Sequence, residues 1–239
     1  MSVTAIVDYG AGNLFSLVSS LSFIGEAAVV TGDPDKLRAA DRIILPGVGA
    51  FGEAADLLRE RGLSPVLKQI AAEGKPFLGI CLGMQLLFDE SEEFGRHEGL
   101  SLIPGRVVPI ESLPGWDKTL KIPHIGWNPL TLTRPSPLFR EVNDGDCVYF
   151  VHSYCAVDCG ESVTAAAEYS VTVTAAVERG NVFGCQFHPE KSGSVGLRIL
   201  RAFCGLTAEN LNTGTDPVFK NRVLKSGPAP ALNGGGGQC

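Results

Sequence analysis

No stretch of the 239-residue chain approaches the ~20 consecutive apolar residues that a membrane helix needs, so no span is expected. There is no basic surplus either. Lys and Arg total 20 against 26 Asp and Glu, a net charge of −6, where a nucleic-acid binder would show a cationic footprint. The amino terminus shows no basic segment with a cleavage site and no Arg- and Ser-rich transit stretch; it enters an apolar run directly at residues 3–7. A cytoplasmic location is expected. An odd set of seven cysteines fits reduced thiols in that compartment rather than a disulfide framework. Cys155 and Cys159 lie near His152, but the spacing fits no familiar zinc pattern, and no metal is expected. No internal repeat is present.

What is present is an ordinary globular balance, 44% hydrophobic and 19% charged, which excludes a wholly disordered chain. At ~150 residues per domain the length allows one or two domains, and a single α/β domain is the simpler reading. Residues 3–7 read as a buried strand running into Gly10 and Gly12. Residues 13–24 carry Leu14, Leu17, Val18, Leu21 and Ile24 at helical spacing, closed by Gly25. Strands are expected at 27–30, at 42–45 (stopped by Pro46 and Gly47) and at 76–80. Helical patches fill 53–69, broken near 62–65, and another helix fills 82–88. This alternation predicts a mainly parallel sheet with helices on both faces. The second half reads as strands at 107–110, 147–154, 163–167, 172–177 and 182–187, hence antiparallel additions to the sheet, before a last helix over 194–204. From Thr207 onward Gly, Pro, Asn and Thr dominate. The expected division is a domain over 1–206 and a poorly ordered tail over 207–239, with one short helix around 218–224.

Gly79-Ile80-Cys81-Leu82-Gly83 sits where an expected strand becomes an expected helix. This is the pattern of a nucleophile elbow, a tight turn that pushes the nucleophile into a strained position while flanking glycines avoid backbone clashes. The sulfur would lie at a helix N-terminus, where free N–H groups favour an anion. The Leu82 N–H would point to where an oxyanion develops. The plainer reading is a small buried cysteine in a β–α turn. A cysteine nucleophile needs a base, and the chain offers only His97, His124, His152 and His188. His188 follows the last expected strand in Gln186-Phe187-His188-Pro189-Glu190, and in extended backbone His188 and Glu190 share a face. Glu190 would then orient the imidazole as the third member of a triad does; taken alone, the segment also fits a surface turn. Pro46-Gly47-Val48-Gly49-Ala50-Phe51 follows a strand end. Its paired glycines let backbone N–H groups approach a ligand closely, which makes the segment a candidate for a second oxyanion donor.

Taken in order, these segments resemble the class I (triad) glutamine amidotransferases. The cysteine motif continues into Met84-Gln85 and the His-Glu motif into Lys191-Ser192. Asp8-Tyr9-Gly10-Ala11-Gly12-Asn13, Leu45 to Phe51, Pro123-His124-Ile125-Gly126-Trp127-Asn128 and Phe150-Val151-His152-Ser153-Tyr154 are similar to the glutaminase-subunit group that serves imidazole glycerol phosphate synthases. The likeness spans residues 3–205 and does not extend into the tail. It implies a three-layer α/β fold and hydrolysis of glutamine to glutamate and ammonia, with no cofactor. It also implies a heterodimer in histidine biosynthesis with a separate (β/α)8-barrel cyclase that takes the ammonia. By resemblance Cys81, His188 and Glu190 are catalytic, and Leu82, Val48 and Gly49 form the oxyanion hole. Gly47, Gln85, Glu93, Ser153 and Tyr154 hold the substrate, and Asn13, Trp127 and Lys191 face the partner. A Glu93 carboxylate suits an α-ammonium group, against a plain acidic surface run over 89–93. Trp127 suits an interface anchor, against a core tryptophan. A glutaminase feeding another synthase, a cysteine peptidase of the same architecture and a catalytically silent scaffold are the competing readings.

Overall fold

The computed structural model describes residues 2–213. Its strands are β1 (Thr4–Val7), β2 (Ala28–Thr31), β3 (Arg42–Gly47), β4 (Phe77–Cys81), β5 (Glu90–Ser91), β6 (His97–Glu98) and β7 (Arg106–Pro109). They continue as β8 (His124–Pro129), β9 (Thr131–Leu132), β10 (Cys147–His152), β11 (Tyr154–Val157), β12 (Val163–Tyr169), β13 (Val171–Arg179) and β14 (Val182–Cys185). The helices are α1 (Leu14–Phe23), α2 (Pro34–Ala39), α3 (Phe51–Glu60), α4 (Leu63–Ala72), α5 (Leu82–Gln85), α6 (Gly193–Cys204) and α7 (Ala208–Thr213).

Eight strands form one sheet in the order β2-β1-β3-β4-β14-β13-β12-β9. Neighbours from β2 to β14 run parallel; β13, β12 and β9 add antiparallel pairs. The inner parallel strands β1, β3, β4 and β14 are buried along their whole length because both faces are covered, whereas the edge strand β2 is partly exposed. Side chains alternate between the faces. Ala5, Val7, Ile43 and Leu45 meet Leu37, Leu58 and Leu67 of α2, α3 and α4 on one side. Ile6 and Ile44 meet Leu17, Leu21, Ile199 and Phe203 of α1 and α6 on the other. These are the three expected layers.

Several local expectations needed correction. Residues 34–39 form a helix that apolar spacing did not suggest; the Asp33 side chain accepts from the Asp35 N–H, with Pro34 in the first turn. Strand β3 does not stop at Pro46, which pairs with Ile80 in the ladder. The helix expected over 82–88 is the single turn α5. The strand expected over 147–154 breaks at Ser153: β10 pairs with β8, while β11 joins the separate sheet β11-β7-β5-β6. The last fully buried residue described is Leu206. Within the segment expected to be poorly ordered, α7 forms and Leu211 packs against the core; the short helix expected around 218–224 lies outside the described residues. Among the described residues Cys81, Cys155, Cys159, Cys185 and Cys204 are free thiols.

Candidate active site

Cys81 closes β4 with φ 55° and ψ −114°, a backbone a non-glycine residue keeps only when its surroundings enforce it. Close packing enforces it here. A Cβ on Gly83 would overlap the Leu45 carbonyl oxygen, and one on Gly79 would come within 2.5 Å of the Gly83 oxygen. The chain can therefore fold back from β4 over β3 only with glycine on both sides of the cysteine. Cys81 is 8% exposed. Its sulfur lies 4.0 Å from the Val151 carbonyl oxygen and receives the Gln186 Nε2 donor at 3.8 Å. Because α5 is one turn long, a helix macrodipole contributes less than expected; the turn's backbone N–H groups are what it offers an anion.

His188 stands beyond the end of β14, the strand next to β4. Its N–H donates to the Tyr149 carbonyl at 2.9 Å, and the Ser192 hydroxyl donates to its carbonyl at 2.6 Å. The Tyr149 N–H donates to that same hydroxyl at 3.0 Å, so β10 clamps the histidine backbone. Residues Pro189–Lys191 form a 3-10 turn rather than extended backbone. The turn brings Glu190 beneath the ring, with Oε1 2.7 Å from His188 Nδ1. Both side chains are buried, at 3% and 4% exposure. Burial pulls the imidazole pKa down, but hydrogen bonds and charge from Cys81 and Glu190 outweigh it and hold His188 up at about 9.

Cys81, Leu82, Val48, Gly49, Gln85, Glu93, Ser153, Tyr154, His188 and Lys191 line one cleft of about 670 Å³. Residues that are scattered in sequence meet there because the parallel strands all end on one side. Glu93 Oε2 accepts from the Phe51 N–H at 2.6 Å, and burial raises its carboxyl pKa. Gly49 has φ +97°, open to glycine and strained for other residues. Gly47 does not line the cleft. It sits behind it, and a Cβ there would lie 2.8 Å from both the Gly83 nitrogen and the Tyr9 hydroxyl. Asn13 borders a small void shared with His188 and Glu190. Trp127 is 47% exposed, which settles against the core reading, and its ring meets Tyr149 edge-on at 6.0 Å. Lys191 Nζ lies 5.8 Å from the centroid of the same Tyr149 ring.

Sequence reasoning assigned no role to three residues that the structure brings to the site. Gln186 accepts from Gln85 Nε2 at 3.0 Å as well as donating to the Cys81 sulfur. Tyr9 is fully buried and donates to the Pro46 carbonyl at 3.0 Å. Burial, with Cys81 beside it, raises its phenol pKa. His152 lines the cleft and bonds the Tyr154 carbonyl at 2.8 Å. All three stand inside quoted motifs, and that was their one available signal.

The pattern of the family described as glutamine amidotransferase class-I matches residues 5–205. A protein of Syntrophotalea carbinolica named imidazole glycerol phosphate synthase subunit HisH is 51% identical over 201 residues, covering 83% of this chain and 97% of that protein. One of the same name from Geobacillus thermodenitrificans is 48% identical over 213 residues, covering 89% and 100%. Among solved structures, PurLQS from Thermotoga maritima superposes with a TM-score of 0.67 at 21% identity, covering 84% of this chain and 97% of that one. A glutamine amidotransferase from the same organism superposes at 0.58 with 16% identity, covering 94% and 90%; both show the shared fold. With an elbow cysteine, a His–Glu pair and a match over residues 5–205, the chain belongs to the class I glutamine amidotransferase family.

Proposed function

We propose that the chain is the glutaminase subunit of an imidazole glycerol phosphate synthase, acting in the cytoplasm as a heterodimer with a separate (β/α)8-barrel cyclase. The observation that carries the chemistry is the opening of Cys81 and the Glu190-supported His188 onto one cleft that also holds Gln85 and Glu93. The names of the relatives support the choice of synthase.

In this reading the Cys81 sulfur attacks the side-chain carboxamide carbon of glutamine. His188, holding the proton of the thiol, gives it to the amide nitrogen, which departs as ammonia and leaves a thioester. His188 then takes a proton from water as the water attacks the thioester carbon. Glutamate leaves, and the thiol recovers the proton. Glu190 on Nδ1 fixes the tautomer so that Nε2 serves the sulfur. N–H groups of Leu82 and of Val48 or Gly49 receive the oxyanion, and one such donor is worth roughly 10²–10³ in rate. Glu93 meets the substrate α-ammonium group, and the Ser153–Tyr154 peptide with Gln85 forms the wall that holds the rest. Asn13, Trp127 and Lys191 face the cyclase, with Tyr149 between the last two. A closed passage at that face would keep ammonia neutral and away from water.

The test is glutamate release and product formation by the full chain, alone and with a cyclase of this synthase class. Glutamine-dependent product formation only when both chains are present is expected. Release of glutamate with no transfer to that cyclase would favour a glutaminase serving another synthase.

A further inference from the structure

Two histidines outside the catalytic pair are buried in contact with each other. His124 on β8 is 0% exposed and His152 at the end of β10 is 5% exposed. Their rings are joined by His124 Nδ1 to His152 Nε2 at 2.9 Å. His152 Nδ1 lies 2.8 Å from the Tyr154 carbonyl oxygen, and His124 Nε2 lies 2.8 Å from Asn128 Oδ1. The His124 ring is sandwiched between Tyr169, at 4.0 Å and 13°, and Phe150, at 4.9 Å and 19°, so it cannot turn away.

Three contacts in line, ending on an oxygen at each end, need three protons. Two neutral imidazoles supply two. A third would place a charge in the core, and burial drives both rings toward the neutral form, His152 down to about 3. One contact must therefore do without. The contact between the two rings is buried, where an unmade bond is costly, and the Tyr154 carbonyl can only accept. The Asn128 side chain carries a donor as well as an acceptor. Its amide can turn over and present Nδ2 to His124. The bond this gives up, from Asn128 Nδ2 to the Glu168 carbonyl at 2.9 Å, lies on an exposed residue where water can replace it.

We infer that His124 and His152 are positioning residues, both held as the Nδ1–H tautomer, that lock the Tyr154 carbonyl into the wall of the glutamine cleft. The Tyr154 oxygen also receives Gln85 Nε2 at 3.2 Å. Gln85 meets Gln186 at 3.0 Å, and Gln186 reaches the Cys81 sulfur at 3.8 Å. The relay thus runs without a gap from β8, the strand that carries Trp127, to the nucleophile. Its effect on substrate rests on the proposal that the Ser153–Tyr154 peptide and Gln85 hold glutamine; its protonation pattern does not.

The test has a spectroscopic arm and a kinetic arm. In the full chain labelled with ¹⁵N-histidine, two histidines should show a protonated Nδ1 and a bare Nε2, assigned by loss of each signal in His124→Asn and His152→Asn. Imidazole in water favours the opposite tautomer. A His152 signal with Nε2 protonated, or with both nitrogens protonated, overturns the inference. In the kinetic arm, His152→Leu should raise the KM for glutamine roughly three- to tenfold, the worth of one neutral hydrogen bond, with kcat less affected. His152→Asn, whose amide nitrogen falls near the Nδ1 position, should return KM close to wild type. Equal KM for the Leu and Asn variants, both folded, also overturns it. If His152→Leu fails to fold, the spectrum of the unaltered chain decides alone. If the unaltered chain releases no glutamate, the glutaminase reading fails while the spectrum still tests the tautomers.

Discussion

Cys81 holds its strained backbone because its neighbours leave it no other, and the residues that do so can be tested one at a time. Gly83→Ala would force a methyl group into the Leu45 carbonyl. It should cost about 1–3 kcal/mol of stability by overpacking, read as a lowered midpoint in denaturant. An unchanged midpoint would mean that the elbow is not pinned by that contact. His188 offers a pH test. Its pKa rises from 6.5 to about 9 on folding, so the folded chain binds that proton more tightly than the unfolded one. The stability it contributes is fully present below pH 6.5 and is lost as pH rises through about 9. Unfolding free energy measured across that window should fall more steeply for the native chain than for His188→Asn. At this scale the motifs were legible because an elbow demands glycine at fixed offsets. The 3-10 turn that joins His188 to Glu190 was not, since residues two positions apart can share a face through more than one backbone.

The elements explain which parts of the frame were legible in the sequence. Apolar runs announced the inner parallel strands, which are buried on both faces. Residues 147–154 carried the same signal but split at Ser153 between two sheets, because periodicity reports burial and not the partner strand. β8 went unread because its polarity is inverted, with the apolar Ile125 and Trp127 exposed and the polar His124 buried. The loop after β5 carries a further prediction. Glu93 reaches from it to the start of α3, where it accepts the Phe51 N–H, and burial disfavours its charged form. Glu93→Gln removes that cost and removes the partner proposed for the substrate ammonium group. The thermal midpoint should hold or rise while the KM for glutamine increases. A lower midpoint with an unchanged KM would make Glu93 a structural cap alone.

Across the whole molecule, the cleft and the Trp127–Tyr149–Lys191 patch are continuous, since Lys191 belongs to both. Gly49 beside Val48, at φ +97° with open space around it, lets the peptide proposed as the second oxyanion donor turn. The isolated chain should therefore be a slow glutaminase, accelerated roughly 10²–10³-fold when a liganded cyclase selects the productive peptide. Steady-state glutamate release with and without that partner measures this, and equal rates would remove the gating role while leaving the triad in place. The account stands or falls on the nucleophile. The most direct measurement is mass spectrometry of the full chain after exposure to a diazoketone analogue of glutamine, with the labelled peptide sequenced. One adduct on Cys81, suppressed by excess glutamine and absent from Cys81→Ala, is the predicted result. Labelling at another cysteine, or undiminished labelling of Cys81→Ala, would contradict it.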